Sequence, residues 1–452
     1  MIRSYSLENF KSYRHAKLIL GPLTMLIGAN ASGKSNAIEG LRLLSWLAQG
    51  NKLSAIQYAL QDSDQFVRGR VGDLGYQSGK NLLLRCEGPH DDWTPLTISL
   101  VIGEDGSLHI QGESIQCSHK GGAANAPLYE VKATADMRGS DIKVAYNNFA
   151  RGGTKPQVTC SDQAAVFTQL DSPATFPAHH KDTKKTIPEV CQAYQRALGN
   201  ILFLDPAPSA MRDYSFRNER SLLGSGKNLS SVLYHLWNSN DTANRATILK
   251  FISSLPEQDI STIDFLQGPR GEVMVSLVET FGGQNRKTEA ALLSDGTLRV
   301  LAIAAAMLSA PEGGMVVIEE IDNGVHPSRA SQLLEQINAI AEQRNLRILL
   351  SSHNPALLDA LPVSAVPNVV FCYRDSGNGS SCLVRLQDLP DYPELMAQGR
   401  LGHLMTTGIL ERFVKFHPCS ELKKKKAMAW LTELRTMTAG IQEGRENIEG
   451  HQ

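Results

Sequence analysis

The sequence has no cysteine pattern, no long apolar run and no excess of one charge. Its seven cysteines are scattered and contain no Cys-x-x-Cys pair, which argues against a disulfide framework or a zinc site. The longest apolar run, nine residues from Val300, is too short for a membrane span of about 20 residues. The first residues, MIRSYSLENFKSYRHAK, contain charges and no apolar signal segment. We therefore expect a cytoplasmic protein without a membrane partner.

The formal net charge is −1, so no overall basic field points to nucleic acid. A run of four lysines at 423–426 is the sharpest local charge feature, and it indicates either a solvated helix end or a contact with phosphates or an acidic partner. With 452 residues, 42% of them hydrophobic, the chain is long enough for two to three domains.

The segment LIGANASGKSNAIEG, residues 26–40, contains the pattern G-x-x-x-x-G-K-[ST] between a predicted strand and a predicted helix. Glycines in such a loop let backbone N–H groups surround phosphate oxygens, while the lysine supplies a positive charge and the serine hydroxyl can ligate Mg²⁺. The residues predicted to bind the nucleotide here are Gly28, Asn30, Ser32, Gly33, Lys34, Ser35 and Asn36.

Two adjacent carboxylates follow the apolar run MVVI. Adjacent side chains at the end of a strand point in opposite directions, so we expect the two carboxylates to have different roles. Glu319 is predicted to hold Mg²⁺ together with Ser35, and Glu320 is predicted to be the general base that aligns the attacking water.

Two further segments flank these carboxylates in the sequence. LLSDGTLR places Ser294 and Gly296 at the start of a long apolar helix, 25 residues before Glu319. RILLSSHNPALLD places His353 at the end of another apolar strand, 33 residues after Glu320. Taken alone, each segment is common in proteins without a nucleotide site.

In this order the motifs resemble an ABC-type ATPase of the RecF/SMC/OLD group, an AAA-family ATP-binding protein. LENFKSY resembles the first strand of that group, LSDGTLR its signature loop, EEIDNGVHP its Walker B segment and D-loop, and SSHNPALLD its switch-histidine segment. The chain also resembles ATPase subunits of bacterial anti-phage defence systems such as Septu, PARIS or retron-associated ATPases.

The resemblance implies a role for each matching residue. His353 would sense the γ-phosphate, and Ser294 and Gly296 would cap the γ-phosphate of ATP bound by a second chain. Asp322 and Asn323 would lie in the D-loop at the interface. ATP and Mg²⁺ are the implied cofactors, and the implied partner is a second copy in a head-to-tail dimer or a higher homo-oligomer.

Some positions depart from the family pattern. Asp295 stands where transporter signatures have glycine, which places a negative charge near the γ-phosphate site. No clear Q-loop glutamine is found, and Gln65 and Gln77 are the nearest candidates. Arg68 or Arg70 could reach the nucleotide or could be solvated surface residues.

The predicted fold class is α/β, an ATPase head with a β-rich lobe, a helical insertion and no long coiled coil. The predicted divisions are the first part of the head, the β-rich lobe, a mainly helical insertion, the second part of the head and a C-terminal helical region, at residues 1–80, 81–160, 161–268, 269–390 and 391–452.

Two functions remain open. No nuclease motif is recognised after His353, so a sensor or scaffold ATPase would control a separately encoded effector, a nuclease or toxin. The alternative is a RecF-like ATPase in DNA repair, with nucleic acid as the partner.

Overall fold

The structure is a computed structural model that describes residues 1–62, 67–118, 126–132, 140–150, 152–239, 242–253, 260–281, 284–323 and 327–416. The chain divides into two compact units between Asp388 and Leu389, and the described part of the second unit ends at Phe416. The lysine run at 423–426 and Gln65 lie outside the described residues.

The described strands form three sheets. Their bounds are β1 Ser4–Phe10, β2 Tyr13–Ile19, β3 Leu23–Ile27, β4 Asn81–Glu87, β5 Trp93–Ile102, β6 Leu108–Cys117, β7 Tyr129–Lys132, β8 Asp141–Tyr146, β9 Gln157–Ser161, β10 Leu202–Leu204, β11 Ser215–Phe216, β12 Ile260–Gln267, β13 Glu272–Phe281, β14 Gln284–Glu289, β15 Met315–Ile318, β16 Arg347–Ser352, β17 Val369–Arg374 and β18 Ser381–Arg385.

The described α-helices are mostly short. Their bounds are α1 Lys34–Ala48, α2 Ile56–Asp62, α3 Val166–Gln169, α4 Lys181–Gly199, α5 Pro208–Met211, α6 Leu229–Asn238, α7 Thr242–Ile252, α8 Asp295–Ser309, α9 Ala330–Gln343, α10 Pro355–Asp359, α11 Tyr392–Ala397, α12 Leu401–Thr406 and α13 Ile409–Phe416. The longest of these, α4, has 19 residues. No described helix has the length and apolar character needed to cross a membrane.

The first sheet is antiparallel, with the strand order β2-β1-β4-β5-β6-β7-β8-β9. Several of its strands alternate buried and more exposed residues, as in β4, where Leu82, Leu84 and Cys86 are buried. Such alternation is typical of a sheet with one face on the core. Because β1 and β2 belong to this sheet, it extends across the division predicted at residue 80.

The second sheet has the order β10-β15-β16-β3-β17-β18 and is parallel except for the β17–β18 pair. Every residue of β3 and β15 is buried, as expected for parallel strands covered on both faces. The carboxyl ends of parallel strands meet at one edge of a sheet. This edge therefore receives the residues that follow β3, β15 and β16.

The third sheet joins β11, β12, β13 and β14, and α6 packs against β13. The apolar periodicity from Ser230 predicts one helix over this region. The structure has α6 and α7 instead, because Ser239 after α6 is extended, with φ −64° and ψ 154°. The side chains of Asn238 and Ser239 donate to the carbonyl oxygens of Tyr234 and Leu236, and such local bonds to the backbone compete with continuation of a helix.

The predicted α/β fold class with a β-rich lobe is confirmed, and the described residues contain no long coiled coil. The predicted helical insertion contains α3 to α7 but also contributes β10 to the parallel sheet. The second unit contains α11, α12 and α13, with Leu404, Leu410 and Val414 buried. The division into five segments stays a prediction.

Candidate functional site

The loop between β3 and α1 has the backbone that its glycines predict. Gly28 and Gly33 have φ values of 154° and 117°, a region that L side chains rarely adopt. A Cβ at Gly28 would lie 2.2 Å from the Cys372 carbonyl oxygen, and one at Gly33 would lie 2.3 Å from Ser381 Oγ. Only glycine can therefore occupy these two positions without a shift of the neighbouring hairpin β17–β18.

Lys34, the first residue of α1, turns back over this loop. Its Nζ donates to the carbonyl oxygens of Gly28 at 2.7 Å and Ala29 at 3.0 Å. Burial lowers the pKa of Lys34, while Cys372, Glu320 and Asp322 act in the opposite direction. Its ammonium group therefore lies between the loop carbonyls and the acidic residues that follow β15.

Three residues without a predicted role donate hydrogen bonds to carbonyl oxygens of the loop. Tyr13 Oη donates to the Gly33 carbonyl at 3.0 Å, and Ser381 Oγ donates to the Ser32 carbonyl at 2.6 Å. Cys372 Sγ donates to the same Ser32 oxygen at 3.3 Å. The only sequence signal for this support is the position of Tyr13 in LENFKSY.

The loop residues suit a phosphate group. Ser32 Oγ is buried and has no hydrogen-bond partner in the described structure, so a polar group beside the loop would satisfy it. The first N–H groups of α1 and the Lys34 ammonium provide the positive end that an anion needs. Ser35 is half-buried at the start of the helix, and Asn30 is exposed on the loop.

Asn36 lies beside a cavity of about 540 Å³ next to this helix start. Its Nδ2 donates to Ser12 Oγ at 2.8 Å. Gln77, one of the two Q-loop candidates, lines the same cavity together with Lys11 and Ser12. The cavity is polar and large enough for a nucleoside.

Glu319 is paired with an arginine of α1. Arg42 Nη2 lies 2.6 Å from Glu319 Oε1, and the two side chains are only 10% and 20% exposed. Burial raises the pKa of Glu319, and Arg42 acts in the opposite direction. Arg42 also lies over the Phe203 ring of β10, 4.9 Å from its centre. No motif in the sequence marks Arg42, which lies two turns after Ser35 on the same helix face.

We predict that Arg42→Ala destabilises the fold. It would leave the Glu319 carboxylate buried without its counter-charge, at a cost of about 3 kcal/mol. Urea unfolding followed by circular dichroism measures this. Arg14→Ala, an exposed arginine of β2, is the control. If both variants unfold at the same urea concentration, the ion pair does not stabilise the fold.

Asp205 is a further acidic residue close to Glu319. It directly follows β10, the strand beside β15, and it raises the pKa of Glu319. Strand order, which the sequence does not show, creates this proximity.

Two arginines, Arg68 and Arg70, were candidates for a contact with the nucleotide. Arg68 donates from Nε to Glu39 Oε1 at 2.6 Å, and the backbone N–H of Arg70 donates to Asp73.

Glu320 has a strained backbone. Its φ is 47°, a value that non-glycine residues rarely adopt and that clusters at functional sites. Ser351 Oγ accepts its N–H at 3.1 Å, and its Oε2 accepts from Asn323 Nδ2 at 2.7 Å. These contacts hold the carboxylate at the edge where β15 and β16 end.

His353 lies at the same edge, after β16. Its Nδ1 is 3.4 Å from Asp322 Oδ2, and the Asp322 side chain is only 6% exposed. The other oxygen of Asp322 is buried without a hydrogen-bond partner in the described residues. Within one chain Asp322 therefore faces inward to His353. Residues 324–326 of the predicted D-loop lie outside the described structure.

The signature loop follows β14 of the third sheet and leads into α8. Ser294 caps this helix, with its Oγ accepting from the Thr297 N–H at 3.1 Å. Arg212 Nη2 donates to Asp295 Oδ1 at 2.6 Å and to the Leu293 carbonyl at 3.0 Å. No hydrogen bond of residues 293–296 reaches the phosphate loop within the described structure.

The structure therefore brings Lys34, Glu320 and His353 to one sheet edge and places Ser294 and Gly296 on another element. Glu319 lies at the same edge but is bonded to Arg42, so its role with Ser35 in holding Mg²⁺ stays a prediction. No group of three or more His, Cys, Asp or Glu side chains suited to a metal occurs among the described residues. Magnesium in such sites takes few protein ligands and keeps several waters.

Comparison with solved structures finds SMC head domains. They are the SmcHead bound to the C-winged helix domain of ScpA (14% identity, TM-score 0.46), the SMC head domain from Thermotoga maritima (13%, 0.38) and the Smc head domain with an extended coiled coil from Pyrococcus furiosus (12%, 0.42). The matches cover 85%, 85% and 88% of this chain and 97%, 98% and 99% of those chains. A search of curated protein sequences finds no match.

A family model described as "AAA domain, putative AbiEii toxin, Type IV TA system" matches residues 23–93 and 173–359, more than half of the chain. The first range contains the phosphate loop, and the second contains the signature loop, both carboxylates and His353. The chain belongs to this AAA family.

Proposed function

We propose that the protein binds ATP between two copies of itself, hydrolyses it, and thereby controls a separately encoded effector in anti-phage defence. ATP binding between two copies is supported by one observation: the two sets of residues expected to bind one ATP lie apart within a single chain. The phosphate loop, the carboxylates and His353 share one sheet edge, whereas the signature loop is bonded to Arg212. A second chain would complete the site.

The chemistry follows from the residues at the sheet edge. Lys34 and the first N–H groups of α1 would bind the phosphates. Mg²⁺, held by Ser35 and Glu319, would neutralise phosphate charge. Glu320, fixed by Asn323 and Ser351, would accept the proton of the attacking water. His353, beside Asp322, would contact the γ-phosphate.

The surface around the signature loop supports a second copy as the partner. Leu292, two residues before Ser294, is 74% exposed. Tyr214, Phe216 and Leu223, close in sequence to Arg212, are exposed as well. Exposed apolar side chains near a polar loop are typical of a protein interface.

The defence role rests on two supports. The description of the matching family names a putative toxin and a type IV toxin–antitoxin system. The sequence shows no recognised nuclease motif, so the harmful chemistry would belong to a partner protein, a nuclease or toxin.

The partnership with an effector is tested by expressing the tagged chain from its native gene neighbourhood, because the neighbouring gene product should co-purify. A gene without a companion would contradict the effector role.

We predict that the Glu320→Gln chain dimerises with ATP and Mg²⁺. Its mass in size-exclusion chromatography with light scattering should rise from 49.3 kDa to about twice that value. ADP should not have this effect, because it lacks the γ-phosphate that joins the half-sites. An unchanged mass at saturating ATP would contradict the shared site.

A further inference from the structure

Asp295 poses an electrostatic problem for a shared ATP site. It is the first residue of α8, next to Ser294 and Gly296, where the phosphates of a second chain's ATP would approach. Its side chain is 65% exposed, so its charge lies on the surface at which that ATP would arrive. Two negative groups a few ångströms apart repel each other strongly once water leaves the interface.

Arg212 offsets this charge. One of its guanidinium nitrogens, Nη2, bonds both the Asp295 carboxylate at 2.6 Å and the Leu293 carbonyl at 3.0 Å. The arginine is itself 32% exposed. Exposed ion pairs of this kind add little to folding stability, so stability alone does not account for the arrangement.

Arg212 is also held in place before any ligand binds. It follows α5 directly, and the segment leading into that helix is tied to a neighbouring loop. The N–H of Asp205 donates to the Gly224 carbonyl and that of Ala207 to the Ser225 carbonyl, both at 2.9 Å. At Gly226, with φ 74°, a Cβ would lie 2.6 Å from the Met211 sulfur, so the loop packs closely on the residue before Arg212.

We propose that Arg212 is a positioning residue of the shared ATP site, which neutralises Asp295 so that the signature loop can accept the triphosphate bound by a second chain. This inference rests on the proposed function. It assigns Arg212 no contact with the reacting atoms, since its effect passes through Asp295. Removing the carboxylate should therefore remove the need for the arginine.

The experiment measures ATP-dependent dimerisation by analytical ultracentrifugation in the Glu320→Gln background. Arg212→Ala should weaken the dimer about ten-fold or more, because an uncompensated carboxylate then faces the phosphates. Adding Asp295→Asn to Arg212→Ala should restore the dimer to within about three-fold of the parent, and Asp295→Asn alone should match or exceed the parent.

Two controls separate the outcomes. Arg196→Ala removes an exposed arginine of α4, which is not part of the surface around the signature loop, and should leave the dimer unchanged. ATP binding by the dilute monomer should be unchanged in Arg212→Ala, because Lys34 and the phosphate loop are intact. A full-strength dimer in Arg212→Ala, or a double variant as weak as Arg212→Ala, overturns the inference. If the Glu320→Gln parent does not dimerise at all, the proposed function itself fails, and this inference fails with it.

Discussion

Glu320→Gln should reduce ATP turnover by about 10²- to 10⁴-fold while ATP binding persists. A glutamine of nearly the same shape keeps the hydrogen bond from Asn323 but cannot accept a proton from water. The Lys34 contacts with the phosphate loop lie outside the change, so affinity for ATP should stay within a few-fold of that of the unsubstituted chain. Phosphate release measures turnover, and equilibrium binding of a fluorescent ATP analogue measures affinity.

Glu335→Gln is the matched control for this prediction. Glu335 is an exposed residue of α9, so the same chemical change should leave turnover unaltered. Unchanged turnover in Glu320→Gln would show that another group activates the water. A parallel loss of ATP binding would show instead that Glu320 holds the nucleotide.

Lys34→Ala should weaken ATP binding by about 100-fold. The Lys34 ammonium lies at the phosphate loop, held by two loop carbonyls, and its removal takes away a charge-assisted contact with the phosphates. Turnover should fall for lack of bound nucleotide, in contrast to Glu320→Gln. Isothermal titration calorimetry with ATP and Mg²⁺ measures the affinity.

Lys52→Ala serves as the control because Lys52 is exposed on the loop that follows α1. It should bind ATP as the unsubstituted chain does. An Lys34→Ala chain with normal affinity would contradict the assignment of the phosphate loop. Thermal unfolding without nucleotide should separate a loss of binding from a loss of fold.

The phosphate loop could be predicted from sequence because its determinants are local. Gly28, Gly33 and Lys34 lie within seven residues, and their conformation follows from the strand before them and the helix after them. The carboxylates after β15 and the histidine after β16 are predictable for a similar reason, since each ends an apolar strand.

The partners of these residues could not be predicted because they come from distant parts of the chain. Arg42 reaches Glu319 across 277 residues, and Arg212 reaches Asp295 across 83. Asp205 approaches Glu319 only because β10 pairs with β15. The order of strands in the sheet and the packing of α5 against α8 set these proximities, and neither leaves a periodic signal in the sequence.

The most direct test of a shared ATP site mixes two defective chains. Both contain Glu320→Gln; one adds Lys34→Ala and the other adds Gly296→Arg, which blocks the signature loop. Neither variant alone should associate with ATP, but the mixed pair has one complete site, formed by Lys34 of one chain and Gly296 of the other. We expect ATP-dependent retention of one differently tagged chain by the other. If the Glu320→Gln chain associates with itself and the mixture shows no such retention, ATP is not shared between two chains in this way.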